Sequence, residues 1–447
     1  MGNRDYLIEE KPLKALLILA LPMIAGNIFQ QFYTMADSMI VGRLVGENAL
    51  ASIGASYALT TVFISIAIGG GVGSSVITSR AFGAKDYQKV KDSAKTAIIS
   101  FLVIGGLLAS FGLAFSENIL VLLNTPEEIM EEADVYLGIY FLGLPFLFLY
   151  NVLSSVFNAL GKSKVPLYLL IFSSSLNIVL DLWMVGPLEM GVAGAAWATL
   201  ISQGISALIS LFVMVRLLAT YESEKKARFA PVLIKSMARI ALPSILQQST
   251  ISIGMMLVQS VVNSFGPMML AGYSAGMRIE SIAVVPFSQM GNAMSSFAAQ
   301  NIGAKKEERV NEGYRKAHLI VFASALVICV ILEFSHEFLI SLFLEDGGSR
   351  EALATGSAYL QFVGFFFVFI GLKMITDGLL RAYGKMTAFT TANILNLTFR
   401  VVFSFLMAPR YGISMVWVAL PIGWLINYLV SYSAFTYYKR LGKLNAK

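Results

Sequence analysis

Three short signatures occur twice in this chain at a nearly constant separation. Leu19-Ala20-Leu21-Pro22 returns as Ile240-Ala241-Leu242-Pro243, Gly83-Ala84-Lys85 as Gly303-Ala304-Lys305, and Ala159-Leu160-Gly161-Lys162 as Ala382-Tyr383-Gly384-Lys385, at offsets of 221, 220 and 223 residues. Offsets so even across 447 residues describe two homologous halves, and duplicated membrane bundles are a common way of building a transporter.

The medium of those halves follows from composition. Hydrophobic residues make up 57% and charged residues 13% of the chain, against roughly 45–50% and about 25% in an ordinary soluble protein. Mean hydropathy is +0.72. The apolar residues gather into repeated windows of the length a bilayer demands, about 20 residues for about 30 Å of hydrocarbon. Twelve spans are expected, six per half: 15–36, 50–76, 94–115, 134–157, 166–186, 191–216, 237–262, 268–297, 316–334, 354–377, 388–408 and 413–437. The fold class is therefore an all-α polytopic membrane protein. It divides into an N-terminal six-helix bundle (1–216), a linker (217–236) and a C-terminal six-helix bundle (237–447).

Lys and Arg set the orientation. Of the 33 basic residues, 27 fall in the N-terminus, the even-numbered turns, the linker and the C-terminus, whereas the opposite side holds Arg43, Arg350 and Arg410. The positive-inside rule then places both termini and the linker in the cytoplasm, with the chain in the plasma membrane of a prokaryote. The net charge of +6 is accordingly topological information. No basic folded surface of the kind that binds nucleic acid is present. The first thirteen residues lack a cleavable signal pattern, and the single Cys329 cannot form an internal disulfide.

Catalytic signatures are missing. His336-Glu337 has no second histidine, and no CxxC or GxSxG occurs. Gly161-Lys162-Ser163 resembles the end of a phosphate-binding loop, but Val156 stands where the upstream glycine is required. A tight cytoplasmic turn explains it better. No enzyme, no organic cofactor and no ATP-driven step are expected from this chain.

An ionised side chain at mid-membrane costs at least about 2.5–3.5 kcal/mol, so each buried charge is a functional candidate. Asp37 lies in span 1, fifteen residues after Pro22, in a segment with Gln30 and Gln31. Pro22 removes a backbone hydrogen bond and makes a bend possible. Asp37 is read either as a proton or cation site coupled to that bend, or as an anchor at the outer interface beside Arg43. Asn177 and Asp181 share one face of span 5, and Thr199 stands in span 6. These hard oxygen donors suit H⁺ or Na⁺, or hydrogen bonds between helices. In the second half, Arg278 and Glu280 are two residues apart and do not face each other on a straight helix. Lys373 and Asp377, four apart, can pair. With Arg400 these charges form a substrate cavity or a structural network, and the structural reading is favoured. Methionines of spans 7 and 8, Met290 among them, suit either a cavity for varied ligands or ordinary packing.

The chain resembles the multidrug and toxic compound extrusion (MATE) transporters, in particular their DinF-like prokaryotic branch. The likeness rests on Ala20-Leu21-Pro22, the run from Asp37 to Arg43, Ser79-Arg80-Ala81-Phe82-Gly83-Ala84, Asn158-Ala159-Leu160-Gly161-Lys162, Gly191-Val192-Ala193-Gly194, Arg278-Ile279-Glu280 and Gln300-Asn301-Ile302-Gly303-Ala304. It implies a secondary active multidrug exporter that exchanges inward-moving H⁺ or Na⁺ for organic cations or amphiphiles by alternating access. It also implies a cation site, open to Na⁺, of Asp37, Asn177, Asp181 and Thr199, with Asn151 as an added polar residue of span 4 and Pro22 as the bend. Small organic substrates and the lipid bilayer are the expected partners of a monomer. A flippase for lipid-linked precursors or polysaccharides, from the same superfamily, is the alternative. Span 7 offers only Gln247, Gln248 and Gln259 where other branches carry an acid, and Asp377 lies close to the Arg381 turn, so the resemblance is not carried over to a cation site in the second half.

Overall fold

The computed structural model of the chain describes residues 5–223, 225–344 and 349–442. Arg4, Lys443 and Lys447, part of the topological count, lie outside them. All regular structure there is helical, in the order α1 (Tyr6–Glu9), α2 (Pro12–Leu44), α3 (Glu47–Gly83), α4 (Tyr87–Leu122), α5 (Glu127–Ala159), α6 (Lys164–Val185), α7 (Gly191–Ala219) and α8 (Pro231–Asn263). The second half continues with α9 (Pro267–Ala283), α10 (Val285–Gly303), α11 (Glu307–Ser341), α12 (Arg350–Gly364), α13 (Phe367–Tyr383), α14 (Met386–Tyr411) and α15 (Ser414–Arg440).

Ten of these helices are long and apolar enough to cross a membrane, and α12 with α13, bent by 54°, makes an eleventh if the pair is one span. The expected span 268–297 is interrupted: α9 and α10 meet at Val284. Pro286, in the first turn of α10, has no N–H to donate to the carbonyl four residues back, so the helical ladder is broken there. The other helices overrun their apolar windows because the charged ends beyond the hydrocarbon stay helical, as Lys89 and Lys91 do on α4.

The duplication is written in the backbone. Left-handed conformations recur in pairs: Lys85 and Lys305 at φ +57° and +59°, and Gly161 and Gly384 at +72° and +69°. At Gly161 and Gly384 the helix closes with the same two bonds. Gly161 N donates to Asn158 O and Lys162 N to Phe157 O, matched by Gly384 N to Arg381 O and Lys385 N to Leu380 O. This is a glycine helix cap, and it accounts for the Gly-Lys signature without any phosphate.

The chain forms two compact units. The first is Leu21–Ile245; the second comprises Met1–Ala20 with Leu246–Lys447. In the first unit α5 packs against α3, α4 and α7, around buried Phe63, Phe141, Phe148 and Phe157. A Cβ on Gly112 would stand 2.2 Å from the Phe141 ring, so a glycine admits the aromatic side chain. The segment after α7 is strapped to α4: Arg228 N donates to Asp92 Oδ1 at 2.6 Å and Ala230 N to Thr96 Oγ1 at 2.9 Å. Tyr221 stacks on Tyr87 at 5.2 Å.

In the second unit α10 and α13 approach closely at Gly291 and Gly378. A Cβ on Gly378 would lie 2.1 Å from Gly291 O, which is backbone and cannot turn away. Gly378→Ala is therefore expected to cost about 1–3 kcal/mol through overpacking, read as a lower melting temperature of the purified protein. Helix α1 belongs here as well. Leu7 and Ile8 are buried, and Asn301 Nδ2 donates to Leu7 O at 3.0 Å while Lys306 Nζ donates to Ile8 O at 3.2 Å.

Candidate functional site

In the first unit, four helices bring their polar side chains together. Helix α6 buries the face that carries Asn177 and Asp181, at 1% and 0% exposure. The Asn177 amide takes the orientation that satisfies its neighbours: Nδ2 donates to Asp181 Oδ2 and to the Tyr33 hydroxyl, each at 2.8 Å, and Oδ1 accepts from Thr199 N at 3.1 Å. The carboxyl groups of Asp37 and Asp181 lie within hydrogen-bonding reach of each other. Thr199 lies beside Tyr33, and Tyr136 of α5 stands within electrostatic reach of both acids.

Two acids this close cannot both stay ionised and unpartnered in an apolar surround. Among the described residues neither has a Lys or Arg within ion-pair distance. Each keeps one buried carboxylate oxygen, Asp37 Oδ1 and Asp181 Oδ1, without a hydrogen-bond partner. Carboxylate, amide and hydroxyl oxygens are the donor set of a proton or a hard monovalent cation, and the two orphaned oxygens fit such an occupant. Beside the cluster lies a small pocket lined by Tyr136, Ile139, Tyr140, Thr199, Leu200 and Gln203. Thr199 belongs to both.

The sequence-expected residues divide. Asp37, Asn177, Asp181 and Thr199 converge. Asn151 does not. It lies fifteen residues beyond Tyr136 on α5, about 22 Å along the axis at 1.5 Å per residue, and donates to Leu147 O at 2.9 Å. Pro22 is equally remote from Asp37 along α2, which runs through it as one helix. Gln30 is exposed and Gln31 half-buried. Tyr33, Tyr136 and Gln203 went unnoticed in the sequence. The spacing of Tyr33 and Asp37, i and i+4, would have paired them, whereas Tyr136 and Gln203 arrive through tertiary packing.

In the second unit Lys373 and Asp377 do pair, Nζ to Oδ2 at 3.1 Å, with both side chains nearly inaccessible at 3% and 1%. Asp377 Oδ2 also accepts from Gln247 at 3.5 Å and Asn393 at 3.2 Å, and Oδ1 from Ser431 at 3.2 Å. Arg278 and Glu280 point apart, as their spacing requires: Arg278 is exposed, 5.9 Å over the Phe343 ring, and Glu280 accepts from the Tyr359 hydroxyl. Arg400 is half-buried near Glu280. Met290 is 2% exposed in the packed interior of α10, so it lines no open cavity.

A duplicated set of membrane-length helices, with a buried pair of acids in one unit and no catalytic constellation found in the sequence, defines a membrane transporter. Comparison with known proteins narrows this. The chain belongs to the MatE family, whose model matches residues 22–183 and 243–406, one copy in each half. It is 33% identical over 432 residues to the Bacillus subtilis (strain 168) "Probable multidrug resistance protein YpnP", covering 96% of this chain and 95% of that one. It is 24% identical over 440 residues to "Multidrug export protein MepA" of Staphylococcus haemolyticus (strain JCSC1435), covering 98% and 96%. Among solved structures, an outward-facing multidrug resistance MATE family transporter of the MOP superfamily superposes with a TM-score of 0.91 at 25% identity, over 99% of this chain and 98% of the other.

Proposed function

We propose that the protein is a secondary active multidrug exporter of the prokaryotic plasma membrane, in which inward movement of H⁺ or Na⁺ drives the outward movement of organic cations or amphiphilic compounds. The observation that carries this reading is the close approach of Asp37 and Asp181, with the Asn177 amide donating to Asp181 and Tyr33. The names of the relatives supply the cargo class, since two of them are described as multidrug resistance or export proteins.

The cation binds between the two acids, with Asn177 and Thr199 as neutral oxygen donors, and supplies the positive charge that this cluster lacks. Filling and emptying the pair changes the charge beside α2, which is weakened at Pro22 by the missing backbone N–H. The cation biases alternating access only through a difference in its affinity for the two conformations. Basic residues crowd the turns taken as cytoplasmic, so both termini face the cytoplasm. The transporter acts as a monomer, because one chain carries both halves.

Purified protein in liposomes, with a pH gradient or a Na⁺ gradient imposed separately, tests the proposal. Efflux of a fluorescent organic cation accelerates with one gradient and stays at the leak rate without either. Equal rates with and without a gradient would exclude ion coupling.

A further inference from the structure

Counting forward from the equivalent caps Gly161 and Gly384 pairs Asn177 with Arg400 and Asp181 with Ser404, and counting back pairs Tyr136 with Tyr359. The offset of Pro22 and Pro243 pairs Asp37 with Val258, and that of Gly191 and Gly412 pairs Thr199 with Leu420. Packing confirms this register. Ser173 Oγ meets Ser202 O at 3.3 Å in the first unit; in the second, their equivalents Asn396 and Gly423 are in contact. Likewise Gly112 facing Phe141 is mirrored by Leu332 facing Gly364, with large and small exchanged.

The second unit has thus replaced both acids by neutral residues and put a guanidinium where the first has an amide. The surroundings are shaped for it. A Cβ on Gly423 would stand 2.8 Å from Arg400 Cγ, so the glycine makes room for the arginine stem. Asn396, Arg400 and Ser404 follow at i, i+4 and i+8 on α14, and Asn396 Oδ1, Arg400 Nε and Ser404 Oγ are buried without partners. The balancing charge is Glu280 of α9, where the first unit has Thr60; it lies within electrostatic reach of Arg400 but outside ion-pair distance. It is held by the hydroxyl of fully buried Tyr359, whose ring is wedged edge-on between Tyr273 at 5.4 Å and Trp417 at 5.8 Å.

We propose that Arg400 is a tethered substitute for the coupling cation, its guanidinium holding in the second unit the place that a proton or Na⁺ holds in the first. At this place the first unit has two acids and no base, so its positive charge must come from solution. The equivalent place in the second unit has one acid, Glu280, and one base, Arg400. Coupling is thereby confined to one half of a duplicated chain, and the second half keeps a fixed charge through the cycle. This rests on reading Asp37 and Asp181 as the cation site.

The test is chemical replacement, measured by melting of the purified protein without any transport. Arg400→Ala leaves Glu280 uncompensated beside a guanidinium-shaped gap, and a ligand that binds only the folded state raises its melting point. Millimolar guanidinium is expected to recover at least half of the melting temperature lost in Arg400→Ala. Urea, neutral and of the same shape, recovers none, and wild type and Glu280→Gln do not respond to guanidinium. Recovery no greater with guanidinium than with urea overturns the proposal. If Arg400→Ala alone does not fold, Arg400→Ala with Glu280→Gln must fold, since acid and base are then removed together; a double variant no better than the single one also overturns it. Because only the second unit is read, failure here is distinct from failure of gradient-driven efflux.

Discussion

Asp37→Asn is expected to reduce gradient-driven efflux to the leak rate while the protein still reaches the membrane and melts near the wild-type temperature. Asparagine has nearly the volume of aspartate and can still bond Asp181, so packing is retained. What disappears is one of the two acids between which a cation is held, and with it the charge that distinguishes the filled from the empty site. Asp181→Asn is expected to act in the same way, since the site needs both. Neutral donors should matter less. Thr199→Ala removes a single hydroxyl, worth about 0.5–1.5 kcal/mol, or up to about tenfold in apparent cation affinity. Half-maximal efflux should therefore move to a higher cation concentration with the maximal rate preserved. Drug accumulation in cells expressing matched amounts of each variant gives the ranking. Wild-type efflux from Asp37→Asn would remove that residue from the mechanism.

The sequence made parts of this site visible for definable reasons. Local spacing was enough to put Asn177 and Asp181 on one helix face, and repeat offsets were enough to find the turns that prove to be paired left-handed caps. The meeting of Asp37 with Asp181 is a contact between residues 144 positions apart. No periodicity encodes that, and it came from family resemblance. Resemblance also carried over Asn151, which the geometry of α5 sets well away from the acids. The interruption at Val284 had a local cause in Pro286. A continuous apolar window concealed it, because hydropathy averages over the one residue that cannot complete the ladder. In the second unit the chain showed Lys373 and Asp377 as a pair. It gave no sign that Gln247, Asn393 and Ser431, on three other helices, close on the same carboxylate.

That closure sets the second large effect. Lys373→Met should destabilise the protein by about 3–5 kcal/mol, the cost of leaving one partner of a buried ion pair uncompensated, whereas Lys373→Met combined with Asp377→Asn should recover much of the loss. Asp377 is 1% exposed and accepts from α8, α13, α14 and α15 at once, so as a bare anion it has no route to water. Its neighbours Gln247 and Asn393 are amides able to turn. Gln247 Nε2 already donates to Asn393 Oδ1 at 3.2 Å, and a flip of either offers an acceptor to the new asparagine nitrogen. Neutralising both charges therefore leaves a network of amides and a hydroxyl that can satisfy itself. A double-mutant cycle on melting of the purified protein should return a coupling of more than about 2 kcal/mol. The efflux of the double variant then separates two roles for the pair. Efflux that returns with stability means that Asp377 ties four helices into one body, which the inaccessible position of both charges favours. Restored folding with efflux still at the leak rate would make the acid a second participant in coupling and would contradict its reading as structure.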